Sequence, residues 1–125
     1  MKVLVIEDLQ YVIERINASL NKIKPDKIFY ASNSSAAKSQ LESETFDLII
    51  MEVYIKSLTC LEAIKMAKNK NQDVAIIVIT PLDAADIAEK SLKYGAYDFV
   101  IRPAQLDKLD SLLKIYSILK NEDKR

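Results

Sequence analysis

The sequence predicts an α/β fold in which a parallel β-sheet is covered by helices on both faces. Short apolar runs alternate with amphipathic segments through all 125 residues. The connections between them are short, and the chain contains no linker, repeat or low-complexity segment. Its length fits one domain, residues 1–125, and is sufficient to bury a substantial core.

The first half of the chain contains three predicted strands and two helices. The strands are short apolar runs, namely "KVLVI" (2–6), "KIFYA" (27–31) and "FDLIIM" (46–51). Apolar residues at helical spacing mark the first helix: Leu9, Val12, Ile13, Ile16, Leu20 and Ile23. Pro25 ends that helix, and Asn33 suits the N-cap of the next one, which runs to about Leu41.

The second half continues the same alternation. Leu61, Ile64 and Ala67 mark the third helix, and "VAIIVIT" (74–80) is the most hydrophobic strand. Asp83, with Asp86 three residues later, predicts the start of the fourth helix, and Gly95 suits its C-terminal cap. The fifth strand is "YDFVI" (97–101), and the last helix runs from about Gln105 to Asn121.

Composition excludes several classes of function. Basic and acidic residues number 18 each, so the net charge gives no argument for binding nucleic acid or a membrane surface. The absence of histidine excludes Ser-His, Cys-His and histidine-ligated metal mechanisms, and a single glycine excludes dinucleotide and P-loop motifs. With one cysteine, no membrane span and nothing that resembles a signal peptide, we expect a cytoplasmic protein.

Polar residues follow four of the predicted strands at the point where each strand ends. They are Glu7 and Asp8, Glu52, Thr80, and Arg102. Because the carboxyl ends of parallel strands meet at one edge of the sheet, we expect these side chains to converge. Three neighbouring carboxylates repel one another unless a cation lies between them, and oxygen ligands favour Mg²⁺. The hydroxyl and the basic group suit the oxygens of a phosphoryl group.

These motifs together resemble a response-regulator receiver domain, the phosphoacceptor module of two-component signalling. "VLVIED" resembles the opening strand and acidic pair of the family, and "DLIIME" the strand that carries the phosphoacceptor. "IVIT" contains the expected Thr, and "GAYDFVIRP" resembles the segment with an aromatic switch residue and a Lys-Pro pair. The resemblance implies a flavodoxin-like fold: a three-layer, doubly wound, five-stranded parallel sheet in the order 2-1-3-4-5, built from five βα units.

The resemblance also implies a role for each matching position. Glu52 takes the phosphoacceptor position, Thr80 and Phe99 take switch positions, and Arg102 takes the position of the lysine. The ligands that it implies, if Mg²⁺ binds, are all oxygen donors: Glu7, Asp8, Glu52 and the main-chain carbonyl of Tyr54.

Departures from the family pattern argue against ordinary phosphorylation. Glutamate replaces aspartate at Glu52, arginine replaces lysine at Arg102, and Lys56 and Cys60 replace the usual proline and glycine. Glutamate moves the carboxylate oxygen by about 1.5 Å and imitates part of a phosphoryl charge. We therefore predict a receiver-like module that is not an enzyme and is phosphorylation-independent or constitutively biased. We also predict an ion pair from Arg102 to Glu52 or Asp8 in place of the phosphate–lysine contact.

Expected partners are proteins: a histidine kinase, another receiver or an effector domain, without direct binding to nucleic acid or membrane. Exposed apolar residues predict a partner face, formed by the fourth helix, fifth strand and fifth helix, that supports a homodimer: Ile115, Ile118, Tyr94 and Tyr97. Alternatively, these four residues are apolar side chains scattered over the surface and form no interface. Leu119 is predicted to belong to the core stripe of the last helix.

Other interpretations stay open at this point. The chain is an active receiver, phosphorylated at a residue such as Thr80, or a Mg²⁺-dependent phosphohydrolase on a similar fold. Glu52 is an introduced phosphomimic in a third interpretation. Structural roles are also open: Asp8 caps the first helix, Thr80 and Phe99 belong to the core, and Cys60 has either a lowered pKa or a space-filling role.

Overall fold

A computed structural model describes residues 1–123, and a five-stranded parallel sheet lies at its centre. The strands are β1 (Lys2–Ile6), β2 (Lys27–Ala31), β3 (Leu48–Glu52), β6 (Ala75–Pro81) and β7 (Asp98–Arg102). Their spatial order is β2-β1-β3-β6-β7, which is 2-1-3-4-5 in the numbering of the predicted strands. A small antiparallel hairpin, β4 (Tyr54–Ile55) and β5 (Leu58–Thr59), follows β3 and was not predicted.

Five helices cover the sheet: α1 (Gln10–Asn21), α2 (Ser34–Ser43), α3 (Cys60–Lys70), α4 (Ala85–Ser91) and α5 (Lys108–Asp123). Alternate residues of each central strand enter two separate cores. Leu4 and Ile6 of β1 pack on the side of α2, α3 and α4, whereas Val3 and Val5 pack on the side of α1 and α5. The predicted fold class is confirmed. Within residues 1–123, no helix has both the length and the apolar character needed to cross a bilayer.

Helix starts depend on local geometry that the sequence only partly predicts. The Asn33 side chain accepts a hydrogen bond from the Ala36 N–H at 2.7 Å, which confirms it as the cap of α2. The fourth helix, predicted to start at Asp83, starts at Ala85, because Asp83 lies in a 3₁₀ turn that follows β6. Leu9 takes the N-cap position of α1, so the prediction that Asp8 caps this helix is wrong.

Gly95 ends the α4 segment in the left-handed region, with φ of +108°. A side chain there would strain the backbone, and its Cβ would lie 3.0 Å from Lys68 Cε. Lys68 in turn donates hydrogen bonds to the carbonyls of Gln72 and Val74, at 3.2 and 3.1 Å. Gly95 therefore lets the chain turn tightly over the end of α3 and enter β7.

A charged cluster joins α1 to α5. Asp110 accepts hydrogen bonds from Arg15 at 3.0 and 3.3 Å, from the Ser19 hydroxyl at 2.6 Å and from Lys22 at 3.0 Å. These donors, Arg15 first, hold the pKa of Asp110 well below its ordinary value. Because that pKa is lower in the folded than in the unfolded chain, ionised Asp110 stabilises the fold at neutral pH.

We expect Asp110→Asn to lower the free energy of unfolding at neutral pH by about 1 kcal/mol, a value discounted for the partial exposure of the group. The contribution of Asp110 is present above the ordinary aspartate pKa and is lost as the pH falls through the folded-state value. Urea unfolding as a function of pH should therefore show the two proteins converging in acid. Asp107→Asn is the matched control, because Asp107 is 98% exposed and contacts the same Arg15. An equal loss in both variants would contradict the assignment.

Candidate functional site

The carboxyl ends of the central strands form one edge of the sheet. Ile6 of β1 pairs with Met51 of β3, so the next residues, Glu7 and Glu52, are neighbours across the two strands. At this edge the connections from β1 and β3 leave toward opposite faces of the sheet, which is where parallel α/β sheets place their ligand sites. β6 and β7 bring Thr80 and Arg102 to the same edge.

The central contact at this edge is an ion pair between Arg102 and Glu52. Arg102 Nε donates to both carboxylate oxygens of Glu52, at 2.9 and 3.1 Å. The Glu52 side chain is 6% exposed and that of Arg102 22%. Of the two predicted ion pairs, the structure contains the one with Glu52, while Asp8 is exposed.

In this ion pair Arg102 contacts Glu52 through one guanidinium nitrogen, Nε, and not through two. One N–H serves both oxygens, and Arg102 Nη1 lies 3.5 Å from the Tyr11 hydroxyl. Burial opposes the charged form of Arg102, but the bonds with Glu52 and Tyr11 raise its pKa overall. Tyr11 was not predicted from the sequence as a residue of this site. The available signal was an aromatic residue outside the apolar stripe of the first helix, four positions after Glu7.

Glu7 is fully buried beside Glu52. Its Oε1 accepts the backbone N–H groups of Asp8 and Leu9, at 3.0 and 3.1 Å. Its Oε2 has no hydrogen-bond donor among the described residues, and Glu52 becomes its partner only when one of the two carboxyls carries a proton. Burial first, and then the interaction with Glu52, raise the pKa of Glu7 to about 9. When Glu7 is protonated and therefore neutral, the negative charge of Glu52 is balanced by the positive charge of Arg102.

These donors do not fit a divalent cation. Mg²⁺ requires near-octahedral oxygen ligands at about 2.0–2.1 Å. Arg102 binds both oxygens of Glu52, two backbone N–H groups bind one oxygen of Glu7, and Asp8 is exposed. Tyr54, whose carbonyl was the fourth expected ligand, belongs to β4. Within the described part of the chain, no three acidic, histidine or cysteine side chains are grouped to hold a metal. The carboxylates of Glu7, Asp8 and Glu52, which were expected to converge, therefore do not form a common site.

The two residues at the switch positions make local contacts. Thr80 is fully buried, and its hydroxyl donates to the Pro81 carbonyl at 2.8 Å. Phe99 is half-buried and packs against the core on the side of α3 and α4. The ammonium group of Lys108 lies 5.7 Å from the centre of the Phe99 ring.

Side chains cover the outer edge of β7. The Phe99 N–H donates to Asp98 at 2.7 Å, and the Ile101 N–H donates to the Gln105 side chain at 3.0 Å. Lys108 donates to the Phe99 carbonyl at 3.1 Å and lies 3.6 Å from Asp98. Backbone groups that an edge strand normally leaves open are thus bound internally, which opposes pairing with another strand. No sequence pattern predicts this cover, because the contacts depend on the path of the chain after Pro103.

Cys60 is fully buried in the core near α2 and α3, and burial raises the pKa of its thiol to about 11. The interpretation that its position at a helix start lowers the pKa is wrong, because desolvation outweighs the two backbone hydrogen bonds. The space-filling role agrees with this environment.

The predicted partner face has large exposed apolar side chains. The residues concerned are Tyr94 (53% exposed), Tyr97 (38%), Ile115 (50%) and Ile118 (49%). Tyr97 also contacts Tyr116 of α5, with ring centres 6.4 Å apart. The assignment of Leu119 to the core is wrong, since it is 50% exposed. At this level of α5, Tyr116 and Lys120 make the contacts with the start of β3: the Tyr116 hydroxyl donates to the Asp47 carbonyl at 3.1 Å, and Lys120 lies 3.5 Å from the Asp47 carboxylate.

Comparison with known proteins agrees with this architecture. Residues 3–114 match the family model described as "Response regulator receiver domain". The chain is 29% identical over 117 residues to the transcriptional regulatory protein MalR of Bacillus subtilis, covering 93% of this chain and 50% of MalR. It is 30% identical over 121 residues to a cyclic di-GMP phosphodiesterase of Thermotoga maritima, covering 97% of this chain and 32% of that protein. The chain thus spans half or less of the length of these relatives.

Solved structures share the fold over nearly the whole chain. The REC domain of AraT, a response regulator from Geobacillus stearothermophilus, superposes with a TM-score of 0.79 at 19% identity, covering 99% of this chain and 98% of that one. A response regulator receiver domain protein from Clostridium thermocellum gives a TM-score of 0.76 at 20% identity, with coverage of 99% and 98%. The chain therefore belongs to the response regulator receiver domain family.

Proposed function

We propose that this chain is a receiver module whose phosphoacceptor position is held by an internal ion pair, so that it signals through protein contacts without being phosphorylated. The observation that carries the proposal is the Arg102 Nε–H shared by both oxygens of Glu52. Glu52 stands at the position where the family has its phosphorylated aspartate.

Phosphoryl transfer to this site is opposed by geometry and by charge. A carboxylate that attacks phosphorus needs a free oxygen in line with the leaving group. Both oxygens of Glu52 are bound by Arg102, and the extra methylene of glutamate shifts them further. Thr80 is a poor alternative acceptor, because it is fully buried and its hydroxyl donates to Pro81.

Enzymatic activity is not part of the proposal. Receiver domains of response regulators are generally not enzymes. A phosphohydrolase on this fold would need a free nucleophilic carboxylate beside a metal ion, and the ion pair at Glu52 opposes both. The phosphodiesterase relative is more than three times as long as the part of it that this chain matches, so its name says nothing about activity here.

Intact-mass spectrometry tests the proposal most simply. The protein is incubated with a small phosphodonor and Mg²⁺, beside a receiver known to accept phosphate. We expect the control to gain one phosphoryl group and this chain to remain unmodified. A stoichiometric phosphoryl adduct on this chain, mapped to Glu52 or Thr80, would overturn the proposal.

Partners are inferred from the family and from the exposed face. Receiver domains interact with histidine kinases and effector domains. We propose the same classes of partner, or a second receiver, for this chain. The face that carries Tyr94, Tyr97, Ile115 and Ile118 supports contact with a partner protein or a homodimer, because these exposed side chains add to its apolar area.

We expect Ile115→Lys to weaken self-association through this face. A charge placed on an apolar interface must be desolvated when the interface forms. A concentration series by light scattering should show a smaller mean mass for the variant than for the wild type. Tyr30→Lys is the matched control, because Tyr30 is 49% exposed on β2, at the opposite edge of the sheet. Wild-type association that is unchanged by Ile115→Lys would remove this face as the homodimer interface.

A further inference from the structure

We propose that the guanidinium group of Arg102 serves as a built-in cation at this site, so that the chain does not bind Mg²⁺ there. Receiver domains typically bind Mg²⁺ at the phosphorylation site. The inference concerns cation binding and goes beyond the proposed lack of phosphorylation, because a receiver can bind the metal and still fail to accept a phosphoryl group.

Arg102 occupies both carboxylate oxygens of Glu52. Arg102 Nε lies 2.9 and 3.1 Å from them, which is the position from which a cation would neutralise this carboxylate. Entry of a metal ion would require Arg102 to leave Glu52. Separating a partly buried ion pair exposes both charges to an unfavourable environment until each finds a new partner.

Few oxygen ligands remain for a metal ion at this site when Glu52 is paired with Arg102. Glu7 Oε1 is directed toward the start of α1, where it accepts the N–H groups of Asp8 and Leu9. Among the buried side-chain oxygens of residues 1–123 at this site, Oε2 of Glu7 alone lacks a partner, and the carboxylate of Asp8 is exposed. Mg²⁺ keeps several waters but needs at least one or two carboxylates in good geometry, and a single buried oxygen beside a neutralised pair does not supply them.

Tyr11 is a second contact of the Arg102 guanidinium. Its hydroxyl lies 3.5 Å from Arg102 Nη1, a different nitrogen from the Nε that binds Glu52, and Tyr11 is 46% exposed. Arg102 would therefore give up a second contact, with Tyr11, on leaving Glu52. Glu52, Arg102 and Tyr11 form a chain from the buried edge of the sheet to the surface.

The test is a Mg²⁺ titration by isothermal calorimetry, with tyrosine fluorescence as a second readout because the chain has no tryptophan. Wild-type protein is compared with Arg102→Gln, which frees the Glu52 oxygens. Arg15→Gln is the matched control, since it removes another paired arginine, at the α1–α5 contact. A parallel titration with NaCl at equal ionic strength distinguishes specific Mg²⁺ binding from general screening of charges by salt.

We expect no saturable Mg²⁺ binding by the wild type or by Arg15→Gln up to the highest concentration titrated, and saturable binding by Arg102→Gln with a midpoint at least about tenfold below that concentration. Arg102→Lys serves the same purpose if the glutamine variant does not fold, because an ammonium group leaves one Glu52 oxygen more accessible. Equal Mg²⁺ affinity in the wild type and the Arg102 variant would overturn the inference. So would a lack of binding in both, since Arg102 would then not be what excludes the ion.

The Mg²⁺ titration and the phosphodonor test of the proposed function can give independent results. Wild-type protein that binds Mg²⁺ but gains no phosphoryl mass contradicts the built-in cation and leaves phosphorylation-independent signalling intact. Wild-type protein that gains phosphoryl mass contradicts the proposed function, whatever its affinity for the ion.

Discussion

Replacing Arg102 with glutamine is expected to lower the free energy of unfolding at neutral pH by about 2–4 kcal/mol. The Glu52 side chain is only 6% exposed, so loss of its partner leaves a buried carboxylate without a compensating charge. The expected loss is reduced from that of a fully buried pair because the Arg102 side chain is 22% exposed. Urea unfolding monitored by circular dichroism measures the change.

Arg15→Gln provides the comparison for this result. Arg15 is exposed to a similar extent, 24%, and it also pairs with a carboxylate, Asp110. Asp110 is more exposed than Glu52 and keeps the Ser19 and Lys22 donors, so we expect a clearly smaller loss. Equal losses of unfolding free energy in Arg102→Gln and Arg15→Gln would mean that the burial of Glu52 does not make the stability of the fold more dependent on its arginine partner.

The double variant Glu52→Asp/Arg102→Lys is expected to accept a phosphoryl group from a small phosphodonor. Aspartate withdraws the carboxylate oxygen by about 1.5 Å, and lysine is a point charge that does not bind both oxygens through one fixed N–H. Misplacement of reacting atoms on this scale changes rates by about a hundredfold, so we expect at least that gain over the wild type. Intact-mass spectrometry against time measures it.

Controls for the double variant test the role of each substitution. Glu52→Asn/Arg102→Lys carries the same lysine but no nucleophilic carboxylate, and it should stay unmodified. Glu52→Asp alone should react more slowly than the double variant, because Arg102 remains beside the acceptor. If the double variant remains unmodified while a competent receiver is phosphorylated, the loss of phosphorylation lies outside these two positions.

The fold was predictable because its signals are local. Each strand is a short apolar run, and each helix carries an apolar stripe at a period that distinguishes it from a strand. Asn33 was predictable as a cap because it bonds to an N–H three residues away. The β4–β5 hairpin was missed because strands of two residues are too short to show a period. The start of α5 was placed three residues early, since residues 105–107 form turns in which Gln105 bonds back to Ile101.

The site was only partly predictable. Glu52 and Arg102 could be brought together from the sequence because both end a strand of the same sheet. Asp8 also follows a strand, but it is exposed, while Glu7 turns inward and accepts the N–H groups of Asp8 and Leu9, just before α1. Tyr11 was missed because its contact with Arg102 joins elements that are distant in the chain. Lys108 was missed because its contact with Phe99 depends on the turns between β7 and α5.

A double-mutant cycle between Glu52 and Arg102 tests the central claim most directly. The free energies of unfolding of the wild type, Glu52→Gln, Arg102→Gln and the double variant are measured in urea. The account predicts that the double variant is less destabilised than the sum of the single variants, with a coupling of about 1.5–3 kcal/mol, because each single change leaves one charge unpaired. Additive losses would contradict the claim that this ion pair holds the phosphoacceptor position.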